Sequence, residues 1–488
     1  MTTLAEKKNI AWFYVLSLIF ILINALFISK ELYYFSLLPL LVLILSFAVF
    51  ALDKLIYIVV FLIPLSIPLK MIIPGLEFDM QLPTEPILCG ILILFIFKYL
   101  FERNFDNRIL YHPVSLVIYL NLIWIFITSI TSTMPVVSFK FLASRLWFVV
   151  VFYFMATQLF RDHKNIKRFL WFYIIPFLIV IFYAIIQHSS YGFFNQKASN
   201  WVVVPFFNDH TSYGAVLAMF LPFLIGFLFM PSYSLRLKYL FGLVLLIFIV
   251  ATILSYTRAA WISLAGAMVV WMLIRLRIKF STILLFAGIL FAVFFVYRTE
   301  IIIDLEKNRQ ESSKDFAEHI QSISNISSDA SNLERINRWN SAFRMFFQKP
   351  IFGFGPGTYM FKYAPFQFSY EKTIISTNMG DRGNAHSEYI GPLAESGVLG
   401  SLTFILIAFF SLRSGIRLYI RTKKKEIKII SLCALLGLFT YYIHGFLNNF
   451  LDTDKASAPF WGFTAIIVAL EVYHHNKTER TKEPATSD

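Results

Sequence analysis

The apolar residues of this chain cluster in about fourteen long runs, most of them close to the ~20 residues that a helix needs to cross a bilayer. The pattern predicts an all-α integral membrane protein with about twelve to fourteen transmembrane helices. In chain order the runs lie at 10–28, 33–51, 55–69, 84–101, 114–133, 141–160, 168–187, 211–230, 239–256, 259–274, 279–297, 398–412, 427–447 and 456–473.

Composition and the placement of charge agree with a membrane protein. The 488 residues are 58% hydrophobic and 15% charged, whereas soluble domains carry roughly 25% charged residues. The net charge of +14 does not indicate a nucleic-acid partner, because most Lys and Arg residues stand in short loops between apolar runs. Threading the runs alternately through the membrane gathers these loops on one side, with the strongest cluster between Arg413 and Lys428. The positive-inside rule then predicts that both termini are cytoplasmic.

One long polar segment, residues 298–385, interrupts the apolar runs. We predict transmembrane helices over 1–297, a large extracytoplasmic loop over 298–385, further transmembrane helices over 386–475 and a cytoplasmic tail over 476–488. Within the loop, apolar residues recur with a helical period from Asn332 onwards. The GFGPG that follows is too short a signal for phosphate binding, and we expect a packing turn there.

The loop closes with NAHSEYIGPLAESGVLG, residues 384–400, which leads directly into an apolar run. Asn384 is a suitable N-cap, so we expect the helix to begin there with His386 in its first turn. The positive end of the helix dipole would then favour the neutral imidazole. A neutral histidine at the membrane surface can act as a general base, which makes His386 the candidate catalytic residue.

Arginines from three parts of the chain fall on the same outward side as His386. Arg145 and Arg258 stand near the outer ends of apolar runs, and Arg335 and Arg338 lie in the loop. Guanidinium groups clamp a diphosphate bidentately, so these four are candidates for substrate binding. Two alternatives stay open: an arginine that snorkels at a helix end, and the wet face of a surface helix.

Signals of other chemistry are absent from the sequence. No paired-Asp motif, histidine cluster with metal spacing, P-loop or G-x-S-x-G appears. The two cysteines, Cys89 and Cys433, stand inside apolar runs and are expected to be packing residues. We therefore predict neither a metal site nor a cofactor.

Three spaced elements resemble the O-antigen ligase and O-antigen polymerase superfamily. The first is Arg258 in TRAAWISLAG. The second has the form R-x-x-x-W…P-x-x-G-x-G and consists of Arg335, Trp339, Pro350, Gly353 and Gly355. The third is a histidine motif followed by G-x-x-G, formed by His386, Ser387, Gly397 and Gly400. The family often has Asn where this chain has Ser387.

The resemblance implies a fold similar to the integral-membrane C-type glycosyltransferases. It also implies metal-independent glycosyl transfer at the outer face of the bacterial cytoplasmic (inner) membrane. Members move a glycan from undecaprenyl diphosphate onto an acceptor hydroxyl, and the acceptor is a glycan, a lipid core or a protein. His386 matches the catalytic base, and Arg258 and Arg335 match the arginines that engage the lipid diphosphate. Arg338 is the next choice if the loop helix is rotated.

Two alternative functions stay open. The same superfamily contains protein O-oligosaccharyltransferases, which differ in the acceptor. A transporter or flippase of lipid-linked sugars would also have many helices and basic loops, but transporters tend to place ionisable residues near the bilayer midplane. Here the candidates cluster at the outer edge, which favours an enzyme.

Overall fold

The computed structural model describes residues 4–32, 52–73, 79–102, 105–278, 330–373 and 383–474, with a few isolated residues between these ranges. The chain divides into two compact units, residues 1–58 and residues 59–488. The first unit contains α1 (Leu4–Ile28) and the beginning of α2 (Leu52–Leu62). All residues of the candidate site lie in the second unit.

The described elements of the second unit are mostly helices. After α2 they are, in chain order, β1 (Ile67–Pro68), α3 (Leu69–Ile72), β2 (Gln81–Leu82), α4 (Thr84–Glu102), α5 (Asn107–Leu110), α6 (Pro113–Ile130), α7 (Pro135–Val149), α8 (Ala156–Leu159), α9 (Lys164–Tyr191), α10 (His210–Leu228), α11 (Leu235–Leu254), α12 (Arg258–Arg275), α13 (Ala330–Gln348), α14 (Tyr359–Lys362), α15 (Gly391–Arg421), α16 (Lys425–Leu447) and α17 (Asp454–His474). The two short strands pair antiparallel, with Ile67 opposite Leu82.

Ten helices among the described residues are long and apolar enough to cross a membrane. They are α4, α6, α9 to α12, α15 to α17, and the continuous segment Pro135–Leu159, in which a π-helical stretch joins α7 to α8. The predicted all-α integral membrane fold is therefore confirmed. Two shorter apolar helices, Trp12–Ile28 and Lys54–Leu65, match further predicted runs. The predicted runs 33–51 and 279–297 lie almost wholly outside the described residues.

Helix α17 lies at the centre of the second unit. Within its spanning window 89% of the residues are buried, compared with 22% for α4 and α12. The consecutive residues from Ala465 to Leu470 are all inaccessible to solvent. A helix that is apolar on every side belongs in the interior, whereas α4 and α12 present most of their surface to the surroundings, as lipid-facing helices do.

Hydrogen bonds bring several helix ends together at one end of the bundle. The Oγ1 of Thr257 donates to the carbonyl oxygen of His210 at 2.8 Å, which joins the starts of α12 and α10. The N–H of Glu388 donates to the carbonyl oxygen of Gly445 at 2.8 Å, which joins the segment before α15 to the last turn of α16. The candidate site lies at this end.

Ionisable side chains contact each other between helices at the opposite end of the bundle. Lys167 of α9 pairs with Glu426 of α16. The Nε2 of His112, just before α6, lies 3.3 Å from a carboxylate oxygen of Glu471 on α17. The starts of α9 and α16, which both carry basic residues, thus meet at this end.

Helix α13 forms from the part of the loop where the helical period begins at Asn332, as predicted. Its inner side packs in a small core beneath the loop, made of Ala342, Met345, Phe354, Tyr359, Tyr363, Ala385 and Ala394. Because this core contains residues from the loop and from α15, it fixes α13 relative to the start of that spanning helix.

The loop also interlocks with a break in α15. Gly397 has a φ of +67° and interrupts the helical geometry. Its neighbour Val398 consequently donates its N–H to the carbonyl oxygen of Pro350 in the loop, at 3.0 Å. A β carbon at Gly397 would lie 2.0 Å from the carbonyl oxygen of Ile351. Only glycine fits here, because both the backbone conformation and the close approach exclude a side chain.

The glycine-rich turn completes the same contact from the loop side. The N–H of Phe354 donates to the carbonyl oxygen of Ala394 at 3.0 Å. A β carbon at Gly353 would lie 2.3 Å from the carbonyl carbon of Glu395. The prediction of a packing turn is confirmed, because these glycines allow close contact between two backbones.

Candidate functional site

His386 lies in the loop that precedes α15 and not in the helix. The helix begins at Gly391, so the predicted start at Asn384 is wrong. Local side chains take the backbone N–H groups instead: Asn384 Oδ1 accepts from His386 at 3.1 Å, and Ser387 Oγ accepts from Tyr389 at 3.2 Å. His386 itself has a φ of +49°, which is incompatible with a right-handed helix.

Glu388 holds this loop against α16 and the segment that connects α16 to α17. Its Oε1 accepts hydrogen bonds from the Tyr441 hydroxyl at 2.7 Å and from the N–H groups of Phe450 and Leu451 at 2.9 Å each. The side chain is buried, and burial raises the pKa of Glu388. These bonds fix the backbone two residues away from His386.

The surroundings of His386 favour the neutral imidazole. Burial, followed by the cations Arg335 and Arg338, lowers the pKa of His386 to about 4, while Asp209 and Glu334 act in the opposite direction. The helix dipole invoked from the sequence has no such role, because His386 precedes the helix. At neutral pH the ring is uncharged and can accept a proton.

Arg335 connects α13 to the end of α16. Its Nε donates to the carbonyl oxygen of Leu447 at 3.1 Å. Leu447 is the last residue of α16, and the final carbonyl groups of a helix have no partner within it. The same turn carries His444, which is buried and whose Nδ1 lies 3.4 Å from Asn448 Nδ2. Arg335 thus lies between the His386 loop and the last turn of α16.

Arg338 points into the interior of the loop. Its Nε donates to Glu334 Oε1 at 2.6 Å and its Nη2 donates to Thr377 Oγ1 at 3.1 Å. The guanidinium carbon lies 3.9 Å from the centroid of the Tyr363 ring. A β carbon at Gly383 would lie 1.9 Å from Nη1 of this arginine. The backbone just before the His386 loop therefore packs directly on the guanidinium of Arg338.

Arg258 begins α12 and is partly buried. The residue before it, Thr257, is hydrogen-bonded to the carbonyl oxygen of His210 at the start of α10. Asp209, the N-cap of α10, acts electrostatically on His386. The start of α10 is therefore near both Arg258 and the cluster around His386.

Arg145 lies apart from the other three arginines, beside the carboxyl groups of Asp452 and Glu388. Its Nη2 is 3.4 Å from Asp452 Oδ1, and its guanidinium carbon lies 5.3 Å from the centroid of the Phe141 ring. Together with Glu388 and Glu395 it lines a cavity of about 40 Å³, which is room for a few water molecules. The four predicted arginines thus occupy three places. Arg335 and Arg338 lie near His386, Arg258 begins α12, and Arg145 lines the cavity with Glu388.

The acidic residues that position these groups were not predicted from the sequence. Glu334 stands four residues before Arg338, a spacing at which helical side chains meet. Asp209 opens a helix and accepts from the N–H of Ser212 at 2.8 Å, which is a recognisable N-cap signal. No local pattern indicates that Glu388 binds the backbone of residues 450 and 451.

The described residues include no group of three or more His, Cys, Asp or Glu side chains that could hold a metal ion. What they bring together at this end of the bundle is an imidazole, several guanidinium groups and buried carboxyl groups. These are groups that transfer protons and bind anions.

Part of the chain is similar to a known protein family. Residues 242–405 match a family model described as O-antigen ligase. The matched segment contains Arg258, Arg335 and His386, together with the interlocking glycines. Over these residues the chain is similar to the O-antigen ligase family. No curated protein matches the sequence. The O-antigen ligase match ends within α15, so Leu447 and the backbone that Glu388 binds lie beyond it.

Proposed function

We propose that this protein is a glycosyltransferase that moves a glycan from undecaprenyl diphosphate onto an acceptor hydroxyl at the outer face of the bacterial cytoplasmic membrane. One observation carries the proposal: a neutral imidazole, His386, stands beside the cation of Arg335 at one end of a membrane-spanning bundle. The transfer needs a base for the acceptor and a cation for the leaving diphosphate. The similarity of residues 242–405 to the O-antigen ligase family supports a lipid-linked glycan as the donor.

In the proposed reaction His386 takes the proton from the acceptor hydroxyl as that oxygen attacks the anomeric carbon. The bond from this carbon to the diphosphate oxygen breaks, and its electron pair leaves with undecaprenyl diphosphate. A positioned base typically contributes ~10²–10⁴-fold, and stabilising the developing charge usually contributes more. The negative charge of the bound diphosphate raises the pKa of His386, so the ring can hold the proton that it receives.

The arginines take different parts in this proposal. Arg335 and Arg258 contact the diphosphate, since Arg335 is bonded to the end of α16 and Arg258 begins α12, whose start is bonded to that of α10. Arg338 and Arg145 pair with the carboxylates of Glu334 and Asp452. We assign these two arginines a secondary contact with the substrates, and Arg338 also supports the backbone before His386.

A transfer assay on the purified protein tests the function. The protein in lipid nanodiscs is given a polyprenyl-diphosphate-linked glycan and, in parallel, a glycan, a lipid core or a peptide acceptor. Product formation by mass spectrometry is expected with one acceptor class and in the presence of EDTA. No product with any acceptor would contradict the proposal. Activity that EDTA removes and magnesium or manganese restores would contradict metal independence.

Cells with and without the protein distinguish the acceptor classes. Loss of chain length with retained single units indicates a polymerase, and unanchored carrier-linked polymer indicates a ligase. Loss of protein-bound glycan alone indicates a protein O-oligosaccharyltransferase. Carrier-linked glycan that accumulates on the cytoplasmic side would instead indicate a flippase.

We further propose that the site faces outward and that both termini are cytoplasmic. The starts of α9 and α16, which carry basic residues, meet at the end of the bundle opposite the site, and this supports the orientation. In intact bacterial cells whose outer face is accessible, an impermeant thiol reagent should label Lys372→Cys but not Lys424→Cys. The reverse labelling would contradict the orientation. Both positions are exposed.

A further inference from the structure

The loop exposes a continuous set of large apolar side chains, which we call the apolar patch. Its members are between 37% and 76% exposed and are Ile336, Phe343, Phe347, Ile351 and Phe352. The first three lie on one face of α13, because their spacing of seven and then four residues returns to the same side of a helix. A set of this size facing water is unusual and indicates a contact with lipid or protein.

The end of the patch lies beside the membrane-spanning helices. The Phe352 ring stacks on Trp124 of α6, with centroids 5.7 Å apart and planes 16° apart. Trp124 stands six residues before the end of α6 at Ile130, which at 1.5 Å per residue is about 9 Å along the helix. Phe352 is therefore level with the interior of a spanning helix and not above its end.

Neighbouring side chains of two spanning helices continue the same surface. Leu120 and Ile123 of α6 and Leu402 of α15 are all more than 40% exposed. Val398, also exposed, begins the part of α15 that donates its N–H to Pro350 of the loop. The apolar patch is thus an extension of the surface that the bundle presents to lipid.

The other end of α13 lies on the bundle as well. Arg335 is hydrogen-bonded to the last residue of α16, Leu447. At the far end Lys349 is exposed, and its ammonium nitrogen lies 4.9 Å from the Phe354 ring centroid. A lysine of this kind buries its apolar stem while its charge reaches the headgroups. Helix α13 therefore lies across the end of the bundle, about 28 Å long at 1.5 Å per residue.

We propose that the apolar patch inserts into the outer leaflet of the lipid bilayer, so that α13 is an interfacial helix and not a free extracytoplasmic element. The occupant is the acyl region of the bilayer, since the patch is continuous with the lipid-facing surface of α6 and α15. Insertion fixes the depth of α13, and with it the depth of Arg335 at the headgroup level.

Photocrosslinking in nanodiscs tests this insertion. The photoreactive residue p-benzoylphenylalanine replaces Phe347 in one variant and Phe343 in a second, and the matched control carries it at the exposed Lys372. After irradiation, lipid adducts on intact protein are counted by mass spectrometry. At least tenfold more lipid adduct is expected at 347 and 343 than at 372. Two positions are used so that the result does not depend on one substitution.

Three outcomes would overturn the proposal. Equal lipid labelling at all three positions would show that the patch is not specifically inserted. Covalent dimers of this chain would identify a second copy as the occupant, and adducts with another protein would identify a protein partner. The measurement involves no glycosyl transfer, so it can fail while the proposed function stands.

Discussion

The Nε of Arg335 donates a hydrogen bond to the carbonyl oxygen of Leu447 at 3.1 Å, and this bond joins the loop helix α13 to the end of the spanning helix α16. A guanidinium is favourable there because the end of a helix carries unpaired carbonyl groups and partial negative charge. The bond fixes Arg335 beside His386, whose pKa it helps to lower. One arginine therefore links the architecture of the bundle to the protonation state of the proposed base.

Replacing this arginine by lysine tests whether it binds the diphosphate through its fork. Arg335→Lys, and likewise Arg258→Lys, keep the charge but lose the planar set of donors. Losing a hydrogen bond to a charged group costs about 1.5–3 kcal/mol, so donor affinity and transfer should fall roughly 10- to 100-fold. Donor binding and initial rates are measured on both variants.

The matched control for this series is Arg344→Lys. Arg344 pairs with Glu371 at 2.5 Å within the loop and has no assigned part in transfer. The Arg344→Lys variant should keep transfer near the wild-type level with a small loss of thermal stability. Equal loss of transfer in Arg344→Lys, or normal transfer in both Arg335→Lys and Arg258→Lys, would contradict the diphosphate role.

The low pKa of His386 predicts an unusual pH profile. A base works only when it is neutral, and His386 is neutral above a pKa of about 4. The kcat/KM should therefore stay constant from neutral pH downwards and be lost only as the pH falls through about 4, because this parameter reports the free enzyme. The same loss at low pH should appear in kcat at a higher pH, since bound diphosphate raises the pKa of His386. A loss of kcat/KM as the pH falls through 6.5, the ordinary pKa of histidine, would contradict this prediction.

Glu388 is predicted to matter as a hydrogen-bond acceptor and not as a charge. Its Oε1 accepts from Tyr441, Phe450 and Leu451. Glu388→Gln retains an acceptor oxygen and should transfer glycan at close to the wild-type rate. Glu388→Ala leaves buried donors unpaired, each at about 1–3 kcal/mol, and should lower both the melting temperature and transfer. Equal damage by both substitutions would show that the charge is required.

Gly397 is predicted to be essential for the interlock between the loop and α15. Gly397→Ala places a β carbon 2.0 Å from the carbonyl oxygen of Ile351 at a φ of +67°. A residue held in this backbone region costs about 1–3 kcal/mol before any clash is counted, so the melting temperature should fall clearly. Gly90→Ala in α4 is the control, since a β carbon there meets nothing within 4 Å. A Gly397→Ala protein as stable as Gly90→Ala would disprove the interlock.

Helix α15 shows what the sequence could and could not predict. The apolar run at 398–412 predicted a spanning helix there, because burial in lipid is visible in the composition alone. The helix is longer, Gly391–Arg421, since its ends extend past the apolar layer with polar residues. Its start was mispredicted because Asn384 is a good N-cap by local criteria, yet its side chain closes a turn at His386 instead.

The site was predictable in its residue types and less so in its contacts. His386 and Arg335 were both expected, and the structure brings them together. The bonds that fix them, from Arg335 to Leu447 and from Glu388 to Leu451, join residues more than sixty positions apart. Hydrophobic period and local motifs carry no information about pairs at such separation, so these contacts required the fold.

A single purified His386→Ala preparation tests whether His386 is the general base. Donor binding, thermal stability and transfer are measured on this same sample, with wild-type protein as the reference. We expect transfer to be abolished while donor binding and melting temperature stay close to wild type, since Arg335 and Arg258 carry the affinity. Substantial transfer by the stable variant would contradict the assignment, and a parallel fall of stability and transfer would identify His386 as a structural residue of the loop.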